Sequence, residues 1–223
     1  MPEKQIHGLD FEKWIKDTFF ESYVQTSYTD KWDATSVAFK KEFLTHAITF
    51  QGLPVSIKTC KYGAPIGFGD AIRQYENSQD FLLFVGFWTK AGNARKYVSV
   101  KAVKISKTQW HELFTGAVSE QELAEDRLES EETEFKQIGS KLYHLDETIK
   151  TTPFYKKARE LAKAEKKALP EMQIVVNPKI DSKNQRRLQC SLPFKIFWSR
   201  FAGEEAFQND NCTFWGEKVP LML

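Results

Sequence analysis

A chain of 223 residues with 41% hydrophobic and 14% aromatic side chains has the apolar material for a sizeable core, which excludes an extensively disordered protein. Three widely spaced cysteines (Cys60, Cys190, Cys212) argue against a disulfide-stapled secreted fold, and no apolar run approaches the ~20 residues that span a bilayer. The formal charge of +2 hides a division: residues 110–149 hold eleven acidic and three basic side chains, and residues 150–200 hold thirteen basic and four acidic. The N-terminus also lacks the apolar region of a signal peptide, so a soluble, cytoplasmic protein without a membrane partner is expected. The basic stretch beside an acidic one reads either as a polyanion-binding surface or as a pair of solvated helices of opposite charge.

In chain order, Asp10 is placed to cap a helix whose Phe11, Trp14, Ile15 and Phe19 recur at helical spacing, with Glu12 at the edge of the stripe. Extended segments are expected over Trp32–Phe39 and Thr45–Phe50. A turn at Gln51-Gly52 then predicts an antiparallel hairpin between Thr45–Phe50 and the strand Leu53–Cys60. Alternation in that strand puts Val55, Ile57 and Thr59 on one face and Ser56, Lys58 and Cys60 on the other. Three glycines and a proline predict an irregular loop over Lys61–Gly69, after which Asp70 caps a helix running to Asn77. The continuous apolar run Phe81–Trp88 reads as a central strand covered on both faces, and Tyr97–Ile105 as a further strand.

Beyond Lys107 the pattern predicts a short helix over Thr108–Phe114, an acidic helical stretch over Ser119–Phe135, and a basic helix from Pro153 to Ala168. Two strands, Met172–Val176 and Leu188–Phe194, are joined by a polar, basic connector over residues 177–187. The expected class is α/β (α+β), a central mixed β-sheet flanked by helices. Residues 1–107 form the expected core. Residues 108–223 form an extension with acidic and basic helices and a β-hairpin, packed on the core and suited to a DNA-recognition subdomain.

Lys58 carries the most chemical information. An ammonium in a strand that should be buried costs several kcal/mol unless it is paired, and Asp33 is the candidate carboxylate upstream. Hydrolysis of a phosphodiester with Mg²⁺ needs one or two carboxylates for the ion and a cation near the reacting phosphate. The order helix (Glu12), strand (Asp33), hairpin, strand (Ser56-Ile57-Lys58), helix (Asp70 to Asn77) resembles the PD-(D/E)XK nuclease superfamily, and within it the type II restriction endonucleases. The resemblance covers about the first half of the chain. It implies a Mg²⁺-dependent endonuclease acting on double-stranded DNA, commonly as a homodimer, with Asp33 binding the metal, Lys58 catalytic, and Glu12 matching an acidic residue that some members carry on the first helix.

The chain departs from the family at Ser56, where Asp or Glu is usual. Asp70 or Glu76 from the following helix would then supply the missing carboxylate, Asp70 being the closer in sequence. The plainer readings are a turn residue for Asp33, a snorkelling edge lysine for Lys58, an N-cap for Asp70, an exposed helix position for Glu76 and a helix-dipole partner for Glu12. For DNA contacts the candidates are Lys61, Arg73 and Gln74 beside the site, and Lys183, Asn184, Gln185, Arg186 and Arg187 in the connector. These are the residue types that neutralise phosphates or read base edges, although a solvated turn explains the connector equally well. Histidines 7, 46, 111 and 144 show no zinc-ligand spacing, and no phosphate loop for a nucleotide cofactor is present. A structure-selective repair nuclease of the same fold, or a DNA-binding protein with a degenerate site, are the alternatives to a restriction enzyme.

Overall fold

The computed structural model describes residues 3–26, 31–92, 94–115, 173–180, 186–207 and 211–221. Two compact units emerge. One combines Met1–Ile66, Gln79–Ser106 and Phe194–Leu223, and the other combines Gly67–Ser78 with Lys107–Pro193. The chain thus passes between units near residue 107, and also at 66/67, 78/79 and 193/194. No helix among the described residues is long and apolar enough to cross a membrane.

The first unit is built on a mixed five-stranded sheet. In chain order its strands are β1 (Phe20–Gln25), β2 (Ala34–Phe39), β3 (Val55–Lys61), β5 (Phe81–Ala91) and β6 (Ala94–Ile105), and they lie side by side in that order. β3 and β5 run parallel, and every other neighbouring pair is antiparallel. β5 sits between two partners, and Phe81 through Phe87 are all buried, as the unbroken apolar run requires. Helix α1 (Glu3–Phe19) covers one face, with Phe11, Ile15 and Phe19 fully buried at four-residue intervals. Burying each such side chain contributes about 2–3 kcal/mol. Close approach of α1 is possible because Gly86 has no side chain: a Cβ there would fall 2.6 Å from Tyr97 and 2.7 Å from Phe11, whose rings stack.

Several expectations are corrected here. Asp10 lies inside α1 rather than at its start, because the helix begins at Glu3. Residues 45–50 form no strand and no hairpin with β3. Phe43 and Ala47 are buried four residues apart, a helical period, and the segment folds as a 3₁₀ turn (Lys41–Phe43), a short helix α2 (Leu44–Ala47) and a second 3₁₀ turn (Ile48–Phe50). An edge strand, β1, was not expected at all; five of its six residues are exposed, so it carries little apolar alternation. At the other end of the chain, a two-residue turn at Trp215-Gly216, both with positive φ, joins β9 (Thr213–Phe214) to β10 (Glu217–Lys218). This places Phe214 and Trp215 against Phe19 and Phe84 in the main core. On the other face of β5, Phe87 meets Phe194 and Phe197 of α5 (Phe194–Phe197) and Trp198 in the π-helical turn after it.

The second unit holds, but for Ile66 at its first position, a three-stranded sheet ordered β4 (Ile66–Asp70), β8 (Arg186–Leu192), β7 (Val175–Ile180), with α3 (Ala71–Tyr75) and α4 (Lys107–Thr115). β4 falls within the expected loop: Ile66 and Phe68 are buried on either side of exposed Gly67, and this period-two alternation prevails over the glycine content. β7 and β8 pair antiparallel from Val175↔Ser191 to Ile180↔Arg186, so the two expected strands do pair, but both are displaced into the expected connector: the first runs on to Ile180 and the second starts at Arg186 and ends at Leu192. The expected acidic and basic helices over residues 119–135 and 153–168 lie outside the described residues.

Candidate active site

β2 and β3 pair at a single register position, Ala34↔Val55. Just before it, the Asp33 N–H donates to the Val55 carbonyl at 2.8 Å. With no further ladder partner from β2, the next inward-facing N–H of β3, that of Ile57, needs an acceptor. The Asp33 side chain supplies it: Oδ2 accepts from Ile57 N at 2.6 Å. The same oxygen accepts from Lys58 Nζ at 2.9 Å, with the Ser56 hydroxyl at 3.5 Å. Period two explains the arrangement, because Val55 and Ile57 bury themselves in the α1-side core and turn Ser56 and Lys58 to the opposite face. Both members of the ion pair are 23% exposed, sheltered yet open to a small ligand.

A fourth residue, absent from the sequence reasoning, completes the site. Lys16 of α1 is 4% exposed, and its ammonium donates to three oxygens: Glu12 Oε1 at 2.5 Å, Gln25 Oε1 at 3.0 Å and the Asp33 main-chain carbonyl at 2.7 Å. Three donors meet three acceptors, so the buried charge is fully satisfied. It ties α1 to the end of β1 and to the residue entering β2. The sequence does carry a signal for this, since Lys16 stands between the buried Ile15 and Phe19 and four residues after Glu12, the favourable order for a helical ion pair.

Glu12, Lys16, Asp33 and Lys58 together are two carboxylates and two ammoniums, formally neutral. Among the described residues Asp33 Oδ1 and Glu12 Oε2 take no hydrogen bond. They are hard oxygen donors of the kind Mg²⁺ accepts, and one or two carboxylates with several waters satisfy it. The donor chemistry of these two oxygens suits a hard divalent cation, with little surplus negative charge around them to hold it tightly. No group of three His, Cys, Asp or Glu side chains able to bind a metal occurs among the described residues.

Asp70 and Glu76 belong to the second unit. Asp70 caps α3, its Oδ1 accepting from Arg73 N at 2.9 Å, while Glu76 and Arg73 are exposed. Gln74 is buried, and its amide donates to the Phe68 carbonyl at 3.2 Å, leaving no exposed amide edge to offer a base. Lys61 is exposed at the end of β3. Lys183, Asn184 and Gln185 lie outside the described residues, and Arg186 and Arg187 open β8, described there by backbone alone. Cys60 shares the face of Lys58, but burial pushes its thiol up to about 12, which suits packing rather than chemistry. Comparisons with protein-family models, with curated proteins and with solved structures found no match to this chain.

Proposed function

We propose that the chain is a Mg²⁺-dependent endonuclease hydrolysing duplex DNA, with cutting at a specific sequence in the manner of a type II restriction enzyme and action as a homodimer as its finer form. The observation that carries this reading is the Asp33 carboxylate, held by the Ile57 N–H and the Lys58 ammonium where β2 and β3 stop pairing. Bound Mg²⁺ would lower the pKa of a coordinated water and offset charge on the phosphate. Asp33 Oδ1 and Glu12 Oε2 are the oxygens that would hold it. Lys58, a pure donor, hydrogen-bonds the same carboxylate and would orient a non-bridging phosphate oxygen or the attacking water. Lys16 acts through position alone, fixing the Glu12 carboxylate and the backbone of Asp33.

Incubation of supercoiled plasmid with protein and Mg²⁺ tests the proposal. The wild type should linearise it, and Lys58→Ala should slow cleavage by about 100-fold or more while duplex binding persists. Undiminished cutting by Lys58→Ala would overturn the assignment. Discrete bands would favour site-specific cleavage over structure-selective cleavage. The neutral charge balance and the serine at position 56 favour one second reading, a DNA-binding protein whose site no longer turns over. Duplex binding by a wild type that cuts no plasmid at any Mg²⁺ concentration would select it.

A further inference from the structure

From Phe81 to Ser106 the chain holds five basic residues (Lys90, Arg95, Lys96, Lys101, Lys104) and no acidic one. These residues form the β5–β6 hairpin, whose far end has an unusual charge pattern. Lys90 and Arg95 are direct register partners, with Thr89↔Lys96 beside them. Like charges directly opposite across an antiparallel pair are destabilising. An anion lying against both would relieve that repulsion.

The face is also defined. Lys61 of β3 is in register with Trp88 of β5, and alternation places Lys61, Trp88 and Lys90 on one side of the sheet. Arg95 joins them, its guanidinium 4.2 Å above the Trp88 ring. That stacking leaves the planar fork's N–H edges for a ligand while fixing its position. Lys61 and Lys90 are exposed, and none of Lys61, Lys90 and Arg95 has a carboxylate partner among the described residues. The acids that approach this end are Asp10, which bears on the Tyr97 hydroxyl, and Glu205, which accepts from Tyr62.

We propose that the end of the β5–β6 hairpin, together with Lys61, is a contact surface for the phosphate backbone of duplex DNA. The proposal rests on the duplex reading given above. Ile57, which holds the Asp33 carboxylate, is in register with Phe84. At about 3.3 Å per strand residue, Lys61 and Lys90 then lie roughly 13 and 20 Å further along the sheet. These cations keep the parity of Val55 and Ile57, on the α1 side of the sheet, whereas Lys58 turns to the other side, so the surface they form is separate from the face that carries Lys58.

Fluorescence anisotropy of a labelled duplex, titrated in EDTA between about 50 and 200 mM NaCl, tests this without cleavage. The double variant Lys61→Gln/Lys90→Gln should lower the slope of log affinity against log salt by about 1.8, which amounts to roughly 60-fold weaker binding at about 0.1 M salt. The variant Lys41→Gln/Lys218→Gln, which removes two exposed charges elsewhere in the same unit, should keep the wild-type slope. The proposal fails if the hairpin variant keeps the wild-type slope, if the control variant lowers it equally, or if the wild type binds no duplex at the lowest salt. Failure of the nuclease reading shows instead as absent plasmid cutting by a wild type whose salt slope still depends on Lys61 and Lys90.

Discussion

Lys16→Met removes the buried ammonium while keeping an unbranched chain of similar reach. It strips the only donor that the described residues offer to Glu12 Oε1, and takes a donor from Gln25 and from the Asp33 carbonyl. Removing one partner of a buried ion pair destabilises by about 3–5 kcal/mol, chiefly through the uncompensated charge left behind. Glu12 keeps 22% of its side-chain surface in water, so the expected loss lies near the lower end, about 3 kcal/mol. Glu12→Gln leaves Lys16 an acceptor without its charge and should cost about 1–2 kcal/mol. The double variant strands no charge, so its loss should fall short of the sum by roughly 1–2 kcal/mol. Urea unfolding followed by far-UV circular dichroism reads all three. With a slope near 2 kcal/mol per molar, Lys16→Met should unfold at about 1.5 M less urea than the wild type. A midpoint equal to that of the wild type, or strict additivity in the double variant, would refute the cross-link.

Gly86→Ala should destabilise by about 3 kcal/mol, since the new methyl would lie 2.6 Å from Tyr97 and 2.7 Å from Phe11. The melting temperature should fall by about 6–12 °C, and an unchanged value would mean that both rings shift freely. Burial pushes the Cys60 thiol up to about 12 and that of Cys212 up to about 11, and raises Cys190 as well. The native protein should therefore resist a thiol reagent at about pH 8 and release three reactive thiols in denaturant, one reactive native thiol sufficing to contradict this. Because these folded values lie above the unfolded one, the stability linked to them is complete below about pH 8.5 and declines as pH rises toward the folded values. Ser56→Asp sets a second carboxylate beside Asp33, which Ser56 Oγ already approaches at 3.5 Å, so the variant should melt lower in EDTA and gain more from Mg²⁺ than the wild type. An equal response to Mg²⁺ in both proteins would show that positions 33 and 56 do not converge on one cation.

The meeting of Asp33 with Lys58 was legible in the sequence because strand alternation fixes the face of Lys58 and an unpaired ammonium is too costly to leave there. The central strand was legible for a similarly local reason: a run apolar on both faces needs cover on both faces. Residues 45–50 misled, since Thr45, Ile48 and Thr49 are β-branched while Phe43 and Ala47 are the pair that buries. β1 and the Trp215-Gly216 hairpin were hidden because each depends on distant partners, an edge of β2 and the core around Phe19. Lys16 was hidden by its residue type. A helical lysine reads as solvated, and only the tertiary fold brings the Asp33 carbonyl and Gln25 to it.

The neutral balance of the candidate site bears on how it would work. Lys16 and Lys58 cancel Glu12 and Asp33, so a lone divalent cation would face no net attraction beyond its immediate oxygens. A DNA phosphate bound at the site would add one negative charge there. Cation and duplex would then each raise the other's affinity by the same factor, as linkage requires. A third acidic side chain at position 56 would loosen this coupling, because the cation could bind before the duplex arrives. On the proposed reading, Ser56, buried at 2% exposure and within reach of the Asp33 carboxylate, would decide between a standing metal site and a substrate-completed one.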